Sequence, residues 1–139
     1  MDLFSPSILL NLIKLWVTTL AVLMIGWSRP EEEKFQYLLS LVFVGIGSCL
    51  FMIVTVELAP YFVIQPQHIA GNVMLGMLVL GMIIIIKNKV SGTSILSAAS
   101  IWLSGATGLA IGIGLFMEGI AMAFISFLTF KWLSRLVKE

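Results

Sequence analysis

The segment Ser94 to Gly114, reading SILSAASIWLSGATGLAIGIG, constrains the rest of the chain most: it is uncharged, long enough to cross a bilayer and crowded with small residues. A hydrocarbon core of ~30 Å needs about 20 consecutive apolar residues in a helix. Ala98, Gly105, Gly108 and Gly112 recur at helical steps, so they share one face. In lipid, helices are held together by close backbone approach, van der Waals contact and polar contacts rather than by the hydrophobic effect. A span that is smooth on one side is therefore expected to be the hub on which the others pack. Ser97, Ser100, Ser104 and Thr107 can each return a hydrogen bond to a carbonyl one turn back, which lets a hydroxyl sit in hydrocarbon.

Four more apolar runs accompany this one, giving expected helices at about 7–27, 35–56, 69–86, 94–112 and 116–133. The chain is 60% apolar and only 11% charged, against about a quarter charged in an average soluble domain. Five spans consume most of the 139 residues, leaving short loops and a short tail. The expected fold is an all-α polytopic membrane protein, a single transmembrane domain over 1–139. Asp2 precedes the first run, Lys14 interrupts it, and no small-x-small cleavage site follows, so the first helix is expected to be retained. A formal charge of +1 gives no reason to expect nucleic acid. Cys49 is the only cysteine, which rules out an intramolecular disulfide and reads as a small buried hydrophobe.

Between the runs, Ser28-Arg29-Pro30-Glu31 has the form of a helix start, with Ser28 as cap and Pro30 in the first turn. Glu31, Glu32 and Glu33 suit a helix N-terminus through the dipole without any metal. Glu57 to His68 reads as a loop skimming the interface, with Tyr61 and Phe62 at headgroup level. Gly112, Gly114 and Phe116 read as a tight turn, and Trp132 as an interface anchor. The cations Arg29, Lys34, Lys87, Lys89, Lys131, Arg135 and Lys138 fall on alternate connections and the tail; the connections 57–68 and 112–116 hold none. With five spans, all of them lie on one side, which the positive-inside rule makes cytoplasmic. The N-terminus is then expected outside and the C-terminus inside.

An ionisable residue within a span is a functional candidate by default. Lys14 lies about 10 Å into the first span, and in this topology Glu57, Asn72 and Glu118 also fall in the outer half, with His68 close by. Lys14 can lift its amine to the outer headgroups or pair with Glu118 or Glu57. Glu118 also suits the first turn of a helix, and Asn72 suits a bond to a neighbouring helix. Lys14, Glu57, Asn72 and Glu118 are thus the candidate polar site; Ala98, Gly105, Gly108 and Gly112 are the candidate packing residues.

The second half resembles the MgtC/SapB family of bacterial inner-membrane proteins. Ile69-Ala70-Gly71-Asn72-Val73-Met74-Leu75-Gly76, running on to Leu80-Gly81, is similar to the family's third helix. Ala98-Ala99-Ser100-Ile101-Trp102 is similar to its A-A-T-hydrophobic-W stretch, and Gly105 to Gly114 to the glycine-rich end of its fourth helix. Ile25-Gly26 and the Leu41–Val54 run are looser likenesses. The chain departs from the pattern at charged positions: Ser28 and Arg29 follow Trp27, Phe35-Gln36-Tyr37-Leu38 opens the second helix, and Ser91-Gly92-Thr93 lacks the basic residue of the R-G-L-T-T loop. The cytosolic C-terminal domain of some members is expected to be missing. The resemblance implies five spans, with the N-terminus outside, in a multi-pass bacterial inner-membrane protein. It further implies adaptation to low magnesium and survival inside host cells, one mode being to bind and restrain the proton-translocating ATP synthase.

An enzyme is not expected, because one His, one Cys and no acid-base pair at helical spacing assemble no catalytic set. No cofactor or metal site is expected either, and no span carries the paired acids that would replace part of a magnesium hydration shell. The expected partners are the lipid bilayer and another integral membrane protein, with a second copy of the chain as a further candidate. The favoured reading is a non-catalytic regulator of a membrane partner; the alternative is a small oligomeric transporter or channel for an ion or small solute.

Overall fold

The computed structural model describes residues 5–27, 34–63, 65–87, 89 and 92–138. These form five helices and no strand: α1 (Pro6–Gly26), α2 (Lys34–Leu58), α3 (Pro66–Lys87), α4 (Gly92–Ile113) and α5 (Phe116–Lys138). Each is long and apolar enough to cross a membrane. The region expected to be one long loop is shorter: Glu57 and Leu58 finish α2, and Pro66, Gln67 and His68 open α3. The reason is local, since proline at a first helical position gives up an amide with no helical partner anyway. Tyr61 and Phe62 lie exposed in the remaining turn. The expected cap at Ser28 to Glu31 and the run Glu31 to Glu33 lie outside the described residues.

Helix α4 touches each of the other four helices, whereas α3 touches neither α1 nor α5. The small residues explain how α4 accommodates so many neighbours. A Cβ on Gly108 would run into the carbonyl oxygen of Gly45 and come within 3.1 Å of the Cys49 amide nitrogen. One on Gly112 would come within 2.7 Å of the Cys49 carbonyl oxygen and 2.8 Å of Met52 Cβ. The upper part of the small-residue face thus receives α2 backbone. The lower part receives α3: a Cβ on Gly105 would collide with the Met77 thioether, and one on Gly81 would come within 3.2 Å of Ala98 Cβ. One face therefore serves two neighbours, α2 at Gly108 and Gly112 and α3 at Ala98 and Gly105.

The buried interior follows these seams, with Leu41, Cys49, Met52 and Ile53 of α2 against Val22 and Ile25 of α1 and Ile111 of α4. Its serine and threonine hydroxyls are satisfied by carbonyls. Thr18, Ser48, Thr55 and Thr107 each bond one turn back, at 2.7 to 2.8 Å. Ser104, expected to do the same, instead donates across the seam to the Leu41 carbonyl at 2.6 Å and so joins α4 to α2. Helix α5 is, with α3, the least buried element: Gly119 and Ala123 are buried, but from Phe124 to Leu136 none of its residues is.

Candidate functional site

The last turn of α4 builds the site. A helix ends with carbonyls that lack intrahelical donors. Here Gly114, at φ +107°, reverses the chain, so its amide donates to Ile111 O at 3.1 Å and the Leu115 amide to Ala110 O at 2.9 Å. That pair of bonds is a Schellman closure, and it depends on a residue that tolerates positive φ. The closure leaves the Gly112 and Ile113 carbonyls over. Lys14 of α1 supplies a donor for the first, with its Nζ 3.1 Å from Gly112 O.

Lys14 is buried, at 8% exposure, and its amine places a cation at the negative end of the α4 dipole. Its amine is held inside the bundle rather than lifted to the headgroups, and among the described residues no ion pair joins it to an acid. Glu118 is exposed on the first turn of α5, and no ion pair joins it to Lys14 among the described residues. Glu57 instead accepts a hydrogen bond from Asn11 Nδ2 at 3.1 Å. Asn72 is exposed on α3, which does not touch α1 or α5, so it lies apart from Lys14 and Glu118. Of the four candidate polar residues, Lys14 and Glu57 therefore come to neighbouring positions on the same side of α1, Glu118 lies near the α4–α5 turn, and Asn72 belongs to a different face.

Sequence reading missed the acceptor of Lys14 and the role of Asn11. The signal was present in the spacing: Asn11, Lys14 and Thr18 recur at steps of three and four, which sets one polar stripe along α1. Asn11 meets the end of α2, Lys14 meets the end of α4, and Thr18 lies fully buried against Gly45. The stripe also shows that the helix ends are not level. Lys14 stands eight residues into α1, about 12 Å from its start at 1.5 Å per residue. Helix α2 runs on for six residues past Met52, which faces Gly112, or about 9 Å. The α4–α5 turn is therefore recessed between α1 and α2, below the Asn11–Glu57 bond.

Chemically, this site offers an amine already held by a carbonyl and a carboxylate held by an amide. Among the described residues no three His, Cys, Asp or Glu side chains come together as metal ligands would. The arrangement joins helix ends.

Five membrane-crossing helices around a glycine-faced hub define an all-α multi-pass membrane protein. Its sequence matches the model of the MgtC family over residues 15–139, and the chain belongs to that family. A protein of Escherichia coli strain K12 described as "Putative magnesium transporter YhiD" is 31% identical over 115 residues, covering 78% of this chain and 54% of the relative. Protein SapB of Bacillus subtilis strain 168 is 26% identical over 144 residues, covering 97% of this chain and 60% of the relative. The chain thus matches little more than half the length of either relative, and neither description names an enzymatic activity. No solved structure matches. The helices and the family together make this a multi-pass protein of the bacterial inner membrane.

Proposed function

We propose that the chain is a non-catalytic regulator that docks, through α3, on the helices of another integral membrane protein. The observation that carries this reading is the outward side of α3. Met77 and Gly81 are its buried residues, while Asn72, Gly76, Val79 and Ile83 lie exposed at helical spacing. Nothing lies within 4 Å of where a Gly76 Cβ would be, and Asn72 makes no hydrogen bond among the described residues. Asn72 is six residues into α3, about 9 Å along it. An amide facing hydrocarbon there is costly until a neighbouring helix bonds it, and Gly76 one turn on permits that helix to come close. One such partner, offered by the family resemblance, is the proton-translocating ATP synthase, in adaptation to low magnesium or stress. The proposed topology, drawn from the positive-inside rule, has the N-terminus outside and the C-terminus in the cytoplasm, with residues 1–139 as one transmembrane domain.

Transport of a cation by an oligomer is the second reading, favoured by the description of the Escherichia coli relative and by the Glu57 carboxylate beside the recess. The test pairs ATP-driven proton pumping in inner-membrane vesicles with magnesium flux in proteoliposomes holding this chain alone. Regulation is supported if the chain lowers pumping and both Asn72→Leu and Gly76→Leu relieve the effect. Flux by the chain alone, lost in Glu57→Gln, with pumping unaffected, refutes it in favour of transport.

A further inference from the structure

The end of α5 remote from the recess carries a second polar feature that the docking reading does not use. Leu128, Lys131, Trp132 and Arg135 line a shallow groove of about 260 Å³, and their spacing at steps of three and four places them on one helical face. Lys131 Nζ lies 5.8 Å from the centre of the Phe127 ring, one turn back. Trp132 is 67% exposed and Leu128 47%. Helix α5 carries one acid, Glu118, at its opposite end, and neither Lys131 nor Arg135 forms an ion pair among the described residues. Two cations without an acidic partner among the described residues thus stand one turn apart, beside an indole and a leucine, on an exposed stretch of helix.

We propose that this groove binds the headgroup of an anionic phospholipid. Its phosphodiester oxygens accept hydrogen bonds from the Lys131 amine and the Arg135 guanidinium, whose planar fork suits a phosphate. Leu128 and the Trp132 ring receive the glycerol and the first acyl methylenes, as expected of an aromatic residue at the membrane–water boundary. Charge complementarity selects the occupant: a zwitterionic headgroup brings its own cation to the same place, and an anionic one does not. The contacts fix α5 by lipid where helix packing leaves it exposed. The inference does not depend on which membrane partner α3 meets.

Native mass spectrometry of the detergent-solubilised chain, titrated with dioleoyl phosphatidylglycerol, dioleoyl phosphatidylcholine or inorganic phosphate, tests this. Near a membrane surface each Lys or Arg contributes about 1 kcal/mol towards anionic lipid, so each loss weakens binding about fivefold. Phosphatidylglycerol is expected to be retained in preference to phosphatidylcholine. The pair Lys131→Gln with Arg135→Gln is expected to weaken that binding about 25-fold, Lys131→Arg to preserve it, and Lys87→Gln, an exposed cation on α3, to leave it unchanged. Circular dichroism of each variant confirms that the helices persist. Equal retention of phosphatidylcholine overturns the proposal, as does unaltered binding by the double variant or an equal loss in Lys87→Gln. Binding of inorganic phosphate as tight as that of the lipid also overturns it, since the site would then be a phosphate site.

Discussion

Gly108→Ala is the sharpest perturbation of the seam that organises the molecule. The added methyl meets the Gly45 carbonyl oxygen inside the ordinary carbon–oxygen contact distance of about 3.3–3.6 Å. Its other neighbours are Gly45 C at 3.0 Å and the Cys49 amide nitrogen at 3.1 Å. All three are backbone atoms of a helix interior and cannot rotate away as the end of a side chain does, so α2 and α4 must move apart. Overpacking of a close-packed seam costs about 1–3 kcal/mol, and an immovable backbone neighbour puts this case near 3. Alanine returns about 1 kcal/mol of helix propensity over glycine. The net loss is about 2 kcal/mol, or roughly 30-fold in the unfolding equilibrium. Gly47→Ala on α2 is the matched control, because nothing lies within 4 Å of its Cβ position, and the propensity gain should appear there alone. Reversible unfolding by sodium dodecyl sulfate in bicelles, followed by tryptophan fluorescence, reads both variants. If Gly108→Ala unfolds at or above the wild-type detergent fraction, the close α2–α4 seam is refuted.

Further expectations follow from the same contacts. Ser104→Ala removes the bond to Leu41 O and should cost about 1 kcal/mol, within the range for interhelical bonds in membranes; Ser100→Ala, which bonds only its own helix at Leu96 O, should cost close to nothing in the same assay. Glu57→Gln keeps an oxygen for Asn11 and should be near neutral, whereas Glu57→Leu should lose about 1 kcal/mol, a loss that vanishes when Asn11 is already alanine. Lys14→Met and Glu118→Gln should add within about 0.5 kcal/mol, because Lys14 caps Gly112 rather than pairing with Glu118; partial rescue in the double variant would restore the ion pair. Reporter fusions at the two termini should report opposite compartments, and a shared compartment would refute the topology drawn from the cations.

The helices were legible because an uncharged apolar run of bilayer length has few alternatives, and α4 was legible as the hub because glycine and alanine at helical spacing leave nothing else for that face to do. Where each small residue points was not legible. Gly108 and Gly112 meet α2 while Gly105 and Ala98 meet α3, a division set by crossing angles that no local pattern encodes. The polar site shows the same limit. The sequence marks Lys14 as an embedded cation and invites an acidic partner, but the acceptor is a main-chain carbonyl 98 positions away, and every residue has a carbonyl. The closure at Gly114 narrows the choice to Gly112 and Ile113, and only the packing of α1 against α4 brings Lys14 to Gly112. Asn72 and Glu118 were grouped with Lys14 by their depth in the membrane; depth says nothing about azimuth, and α3 stands on the far side of the hub.

The uneven helix ends carry a consequence for the surrounding lipid. Because α1 begins about 12 Å before the level at which α4 closes, the apolar girdle of the molecule sits higher on one flank than on the other. A flat bilayer of ~30 Å cannot match both flanks of an upright molecule, and mismatch of this kind is relieved by leaning or by local thinning. The protein is therefore expected to ride canted, with the lean growing in thin membranes of short-chain lipid and shrinking in thick ones.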